Sequence, residues 1–144
     1  MTSFFLDTVK ALASELREDS SPKLLKLEGD LGVGKTTFVK ELLFELGYDP
    51  NEVQSPTFLK VLEYDVPDFG LVVHMDCYRM ESVEELVAIG IEHYLDTARL
   101  LCVEWPALLS ELSLSFSSDS ELEYFFTMSA DGKRKIERRV VSDR

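Results

Sequence analysis

Gly29, Gly34, Lys35 and Thr36 fall in the spacing G-x-x-x-x-G-K-T within "LEGDLGVGKTTF", residues 27–38, and that spacing suits the binding of a triphosphate. Phosphate oxygens need several donors converging on one point. Glycines let the backbone wrap closely and aim its N–H groups inward, and the N-terminus of a following helix adds partial positive charge. On this reading Asp30, Leu31, Gly32, Val33, Gly34, Lys35, Thr36 and Thr37 form the nucleotide-binding set. Lys35 reaches the β and γ phosphates and shares in catalysis, while the Thr36 hydroxyl completes a Mg²⁺ shell that keeps several waters. The plain alternative is a glycine-rich turn with an exposed lysine. Against it stands the context: an apolar "LLKLEG" before the motif and helical apolar spacing after it, where a nucleotide loop must sit.

Phosphoryl chemistry also needs a carboxylate near the metal or the attacking oxygen, at the end of a neighbouring apolar strand. Asp76 closes "LVVHMD" and Glu104 closes "LLCVE". Both are catalytic candidates, each with an ordinary polar strand end as its simpler reading, and the sequence leaves open which of them touches the metal. His74 lies two residues before Asp76 and so on the same strand face, either as a hydrogen-bonded structural histidine or as a catalytic one. With no second His close by, it does not read as a metal ligand. Arg79 would stabilise transition-state charge or pair with an acidic neighbour. Trp105 reads as core or interface. "SPTF", residues 55–58, sets Ser and Thr beside a rigid Pro, which suits a segment that senses a γ-phosphate or a structural turn.

These residues need elements to hold them. Phe5, Val9, Leu12 and Leu16 stand at helical spacing near the start, and "REDSSPK" breaks that helix before the strand "LLKLEG". The helix after the motif puts Val39, Leu42, Leu43 and Leu46 on one face and stops at Gly47. "VQSPTFLKVLEY" and "FGLVVHMDCYR" read as extended segments joined by a turn at "DVPD". Ser82 and Glu85 make an S-x-x-E capping box, and Val83, Leu86, Val87 and Tyr94 predict one helix over about residues 83–94. "ARLLCVEWP" is a further strand ending at Pro106, "SLSFSSDSE" a short polar linker, and "ELEYFFTMSADGKRKIERRVV" a hairpin turning at Asp131-Gly132. Strands alternating with helices predict an α/β fold in three layers, with a mainly parallel sheet and an antiparallel C-terminal hairpin.

The 144 residues suit a single domain over 1–144. No apolar run approaches the roughly 20 residues of a membrane span, and the start has neither a basic region nor an uninterrupted apolar one, so the expectation is a cytoplasmic chain with no membrane partner. Cys77 and Cys102, in apolar runs, read as buried reduced thiols. Fifteen basic against 27 acidic residues, a formal charge of −12, work against unaided binding of nucleic acid. Any RNA is then held by another subunit.

Taken in order, "GDLGVGKTTF", "SPTF", "HMDCYR", "EEL...G" and "VEWP" resemble one family, the small bacterial P-loop ATPases of the TsaE (YjeE) type, which act in tRNA threonylcarbamoyladenosine biosynthesis. The matching pieces span most of the chain from about Leu25 to Pro106. The resemblance implies a P-loop NTPase fold, one ATP and one Mg²⁺, weak intrinsic ATPase activity, and work with the TsaD and TsaB proteins, which modify adenosine 37 of tRNAs reading ANN codons. tRNA is then met only indirectly, through that complex. The resemblance carries Lys35 and Thr36 over as phosphate and Mg²⁺ contacts, Glu104 as the metal-associated carboxylate, and Asp76 as a catalytic or water-positioning one. "SPTF" corresponds to the family's nucleotide-responsive loop, and Trp105 lies next to the site. Arg134 falls near the place of a basic residue of the family and joins the nucleotide-binding set. The chain departs from the family pattern at Ala107, where an acidic or amide residue often follows "EWP".

Two other functions share the phosphate loop. A small-molecule kinase would carry a lid with extra Arg or Lys, and no Arg-rich insertion is present in the sequence. A nucleotide-dependent binding module, hydrolysing ATP only incidentally, is separated from an ATPase subunit by substituting Glu104 or Asp76.

Overall fold

The structure, a computed structural model, describes residues 3–29, 34–49, 51, 61–111 and 120–139. The chain opens with α1 (Ser3–Glu18), then runs β1 (Lys23–Gly29), α2 (Lys35–Glu45), β2 (Val61–Val66) and β3 (Gly70–Asp76). Two short helices, α3 (Val83–Ala88) and α4 (Ile91–Thr97), lead into β4 (Leu100–Glu104) and a 3-10 helix (Pro106–Glu111). The hairpin β5 (Glu121–Met128) and β6 (Arg134–Arg139) follows. Among the described residues six strands form one sheet in the order β2-β3-β4-β1-β5-β6. β3, β4, β1 and β5 are mutually parallel, and an antiparallel strand closes each edge. The β5–β6 hairpin meets the sequence expectation. The antiparallel β2–β3 edge adds to it.

Side-chain alternation along the strands sends apolar residues to two cores. Leu25, Leu27, Cys102, Tyr124 and Phe126 face one side, where Phe5, Val9, Leu12 and Leu16 of α1 and Phe38, Val39, Leu42 and Leu43 of α2 cover them. Leu24, Val73, Met75, Leu101 and Val103 face the other, under Leu86 of α3, Ile91 of α4 and Leu109 of the 3-10 helix. The result is three layers, helix on sheet on helix. Phe38 is fully buried at the centre of the first core, with Phe5, Tyr124 and Phe126 rings 5.4–5.7 Å away, two of them edge-on. Such contacts add about 0.5–1.5 kcal/mol each beyond area burial. They fix the first turn of α2, which follows the glycine-rich loop directly.

The helix ends are tied to neighbouring elements. Arg99 donates to the Leu16 carbonyl at 2.6 Å and the Asp19 carbonyl at 3.1 Å, satisfying acceptors that α1 leaves open at its C-terminus. Arg17 does the same for the Glu45 carbonyl of α2. Gly47, at φ +105, ends α2 as expected. The β2–β3 turn is tighter than "DVPD", since β2 runs to Val66, pairs with Gly70, and leaves residues 67–69 to turn.

One expectation is overturned. The helix predicted over 83–94 is two helices, broken at Gly90, whose φ of +89 in the left-handed region ends one and opens the next. The capping box does not close either. The Ser82 side chain makes no cap hydrogen bond, and the Glu85 carboxylate accepts the Glu81 N–H at 2.7 Å instead. Tyr94 therefore lies on α4, its hydroxyl donating to Glu63 at 3.0 Å. Residues 30–33, "SPTF" and most of the polar linker lie outside the described residues. No helix among the described residues is long and apolar enough to cross a membrane.

Candidate functional site

The C-terminal ends of β1, β3 and β4 bring the candidate side chains together, at the edge where ligands of open α/β sheets sit. Register does the placing. Asp76 pairs with Glu104, and Glu104 with Leu27, so the three stand in one row on the face covered by α1 and α2. His74, Cys102 and Leu25 form the row beneath. A slip of one residue in β4 would turn Glu104 to the opposite face.

Gly34 opens α2 at φ +101 and ψ 16, a conformation that L side chains rarely adopt. A Cβ there would meet the Arg134 guanidinium at 3.2 Å and the Phe5 ring at 3.7 Å. Arg134, at the start of β6, thus stands against Gly34. Lys35 is 4% exposed; its ammonium donates to the Gly29 carbonyl and lies 3.6 Å from the centre of the Trp105 ring. Such a cation–π contact contributes about 0.5–2 kcal/mol. Trp105 reaches it through a left-handed backbone, φ +59, immediately after β4. For a bulky residue this conformation is strained by about 1–3 kcal/mol, and strain of that kind concentrates at functional sites. Tyr78 also packs on Trp105, with ring centres 4.8 Å apart.

Thr36 donates its hydroxyl to Glu104, at 2.9 Å from Oε2 and 3.1 Å from Oε1. Glu104 is 4% exposed, and its Oε2 also lies 2.5 Å from Nε2 of the fully buried His74. Asp76 is half-buried at the end of β3 and accepts the Tyr78 N–H at 2.9 Å. Burial raises its carboxyl above the ordinary aspartate range; the Tyr78 N–H pulls the other way, and the charge of Glu104 adds to the rise. Thr37 is partly buried in the first turn of α2, and Arg79 is exposed beyond β3. Cys102 and Cys77 are free and buried, and burial, foremost, raises the Cys102 thiol well above its usual value.

The structure therefore unites Gly34, Lys35, Thr36, Asp76, Glu104 and Arg134, while Asp30, Leu31, Gly32 and Val33 lie outside the described residues. Sequence reading had not joined His74 to Glu104, nor Trp105 to Lys35. The only trace of the first was the two-residue spacing that puts His74 and Asp76 on one face. The donor set at Thr36 and Glu104, a hydroxyl and a carboxylate, is the hard-oxygen chemistry that Mg²⁺ takes beside phosphate and water, so the residues fit that ion. Lys35, Arg134 and the N-terminus of α2 supply positive charge for an anionic ligand.

Comparison with known proteins bears on the family of the chain. The family model "Threonylcarbamoyl adenosine biosynthesis protein TsaE" matches residues 5–137. The tRNA threonylcarbamoyladenosine biosynthesis protein TsaE of Bacillus subtilis is 36% identical over 130 residues, 84% of this chain and 80% of that protein. The Rickettsia bellii protein of the same name is 35% identical over 103 residues, 72% of this chain and 68% of its own length. That of Haemophilus influenzae is 39% identical over 82 residues, covering 57% of this chain and 51% of its own length. The crystal structure of Bacillus subtilis YdiB superposes with a TM-score of 0.63 at 30% identity, covering 94% of this chain and 81% of that one. With a phosphate-loop glycine, lysine and threonine set against two strand-end carboxylates, and with these matches along its length, the chain belongs to the TsaE family.

Proposed function

We propose that this chain is an ATPase subunit for threonylcarbamoyladenosine modification of adenosine 37 in tRNAs reading ANN codons, acting as one P-loop domain over residues 1–144. It binds ATP with Mg²⁺ and hydrolyses it slowly alone, and faster when its turnover is coupled to the cycle of the TsaD and TsaB proteins, which hold the tRNA. The observation that carries the reading is the Thr36 hydroxyl bonded to Glu104 at the mouth of the sheet, one residue from Lys35. On this reading Lys35 leaves the Gly29 carbonyl for the β and γ phosphates, and Arg134 adds charge from β6. Thr36 and Glu104 would hold Mg²⁺, which when bound neutralises phosphate charge. Asp76 orients the attacking water and accepts its proton. Its raised, half-buried carboxyl suits that task. The location is the cytoplasm.

Glu104→Gln and Asp76→Asn test whether hydrolysis is the essential act. Both are expected to keep partner binding and the nucleotide affinity seen without Mg²⁺, and to lose threonylcarbamoyladenosine formation; Glu104→Gln also gives up the affinity that Mg²⁺ adds. Formation preserved at the unaltered rate in both variants would sink hydrolysis as the function and leave a nucleotide-dependent binding module.

A further inference from the structure

His74 is 0% exposed, and its Nε2 lies 2.5 Å from Glu104 Oε2, while Nδ1 is buried with no hydrogen-bond partner among the described residues. An ionised carboxylate only accepts, so Nε2 must donate. A proton on Nδ1 would be a buried donor without an acceptor among the described residues, which is unfavourable. The ring therefore carries its proton on Nε2, aimed at Glu104. The same carboxylate takes the Thr36 hydroxyl from α2, so two donors on two rigid elements, a strand and a helix, fix one side chain. If the position only filled space between Cys102 and the core, an apolar side chain would fill it without the desolvation of an imidazole.

We infer that His74 is a positioning residue, which clamps the Glu104 carboxylate toward Thr36 and so sets how tightly the site takes a divalent cation beside a nucleotide. The inference rests on the Mg²⁺ reading of Thr36 and Glu104 given above. Hydrogen-bond partners of metal-ligating carboxylates act in this way generally, and their loss lowers metal affinity by about 10–100-fold.

The test measures affinity for a non-hydrolysable ATP analogue, in excess EDTA and then in Mg²⁺, through the fluorescence of the single tryptophan, Trp105, which touches Lys35. The quantity compared is the gain in affinity that Mg²⁺ confers. His74→Leu is expected to lose about tenfold or more of that gain, with affinity in EDTA within about twofold of the unaltered chain. His74→Gln, whose amide reaches the same point as a donor, should restore most of it, and His74→Leu should add no further loss in a Glu104→Gln background. A full gain in His74→Leu, or a His74→Gln variant no better than His74→Leu, overturns the inference while the cation reading stands. No gain in the unaltered chain, or a gain indifferent to Glu104→Gln, overturns both. Should His74→Leu fail to fold, imidazole nitrogen NMR of the unaltered chain decides: a proton on Nε2 supports the clamp, and an Nε2 without a proton overturns it.

Discussion

Gly34→Ala isolates what one glycine does for the site, because the same backbone strain recurs elsewhere without the site. Gly34 and Gly90 both open a helix in the left-handed region, at φ +101 and +89. An alanine in that region costs about 1–2 kcal/mol, which for a chain of this size lowers the melting temperature by roughly 2–8 °C. The surroundings differ. A Cβ at Gly90 meets nothing within 4 Å, whereas at Gly34 it comes to 3.2 Å from Arg134 and 3.7 Å from Phe5. The Arg134 contact is with the end of a flexible side chain, which yields by a few tenths of an ångström, so the two variants should lose similar stability in urea titrations followed by circular dichroism. Nucleotide affinity should separate them. Relaxing φ at Gly34 turns the N–H groups at the start of α2 away from their common focus, for which about a tenfold loss, or 1.4 kcal/mol, is expected. Gly90→Ala should bind as the unaltered chain does. Equal affinities in both variants, or a Gly90→Ala loss as large as that of Gly34→Ala, would refute the role given to the loop backbone.

Phe38→Ala removes a fully buried ring with three aromatic neighbours and should cost about 3–5 kcal/mol in urea unfolding; a loss under about 1 kcal/mol would mean that this core is not packed as described. Glu28→Gln should stabilise the fold at neutral pH. Burial, then the neighbouring Glu123, raises the folded-state Glu28 carboxyl above its ordinary value of 4.5. Its ionised form is therefore disfavoured by folding, and the stability linked to the proton is full below that value and lost as pH rises through the higher folded one. The advantage of Glu28→Gln over the unaltered chain should therefore shrink as pH falls to 4.5, and an advantage that grows on acidification would reverse the sign assigned to this carboxyl.

What could be read in the sequence was local. The 4-3-4 spacing of Phe5, Val9, Leu12 and Leu16 records a helix face, and all four are buried on α1. Asp131-Gly132 records its own turn, with Gly132 at φ +82. Asp76 and Glu104 stand at strand ends because each strand's apolar run stops there. Their neighbourhood was a different matter, because strand pairing is non-local: nothing within "LVVHMD" states that it lies beside "LLCVE", in the register that sends His74 to Glu104. Gly90 failed to register for another reason. The apolar spacing of Val83, Leu86, Val87 and Tyr94 runs on across it, and a hydrophobic period carries no record of a positive φ. The contact of Trp105 with Lys35 depends on a left-handed Trp105, which no propensity would assign to a tryptophan.

The most direct measurement is ATP turnover by the purified chain with Mg²⁺, alone and then with the TsaD and TsaB proteins and tRNA, beside Lys35→Ala. The proposed function predicts slow turnover alone, strong stimulation by the partners, and loss of both in Lys35→Ala. Tight ATP binding without hydrolysis under either condition would contradict it.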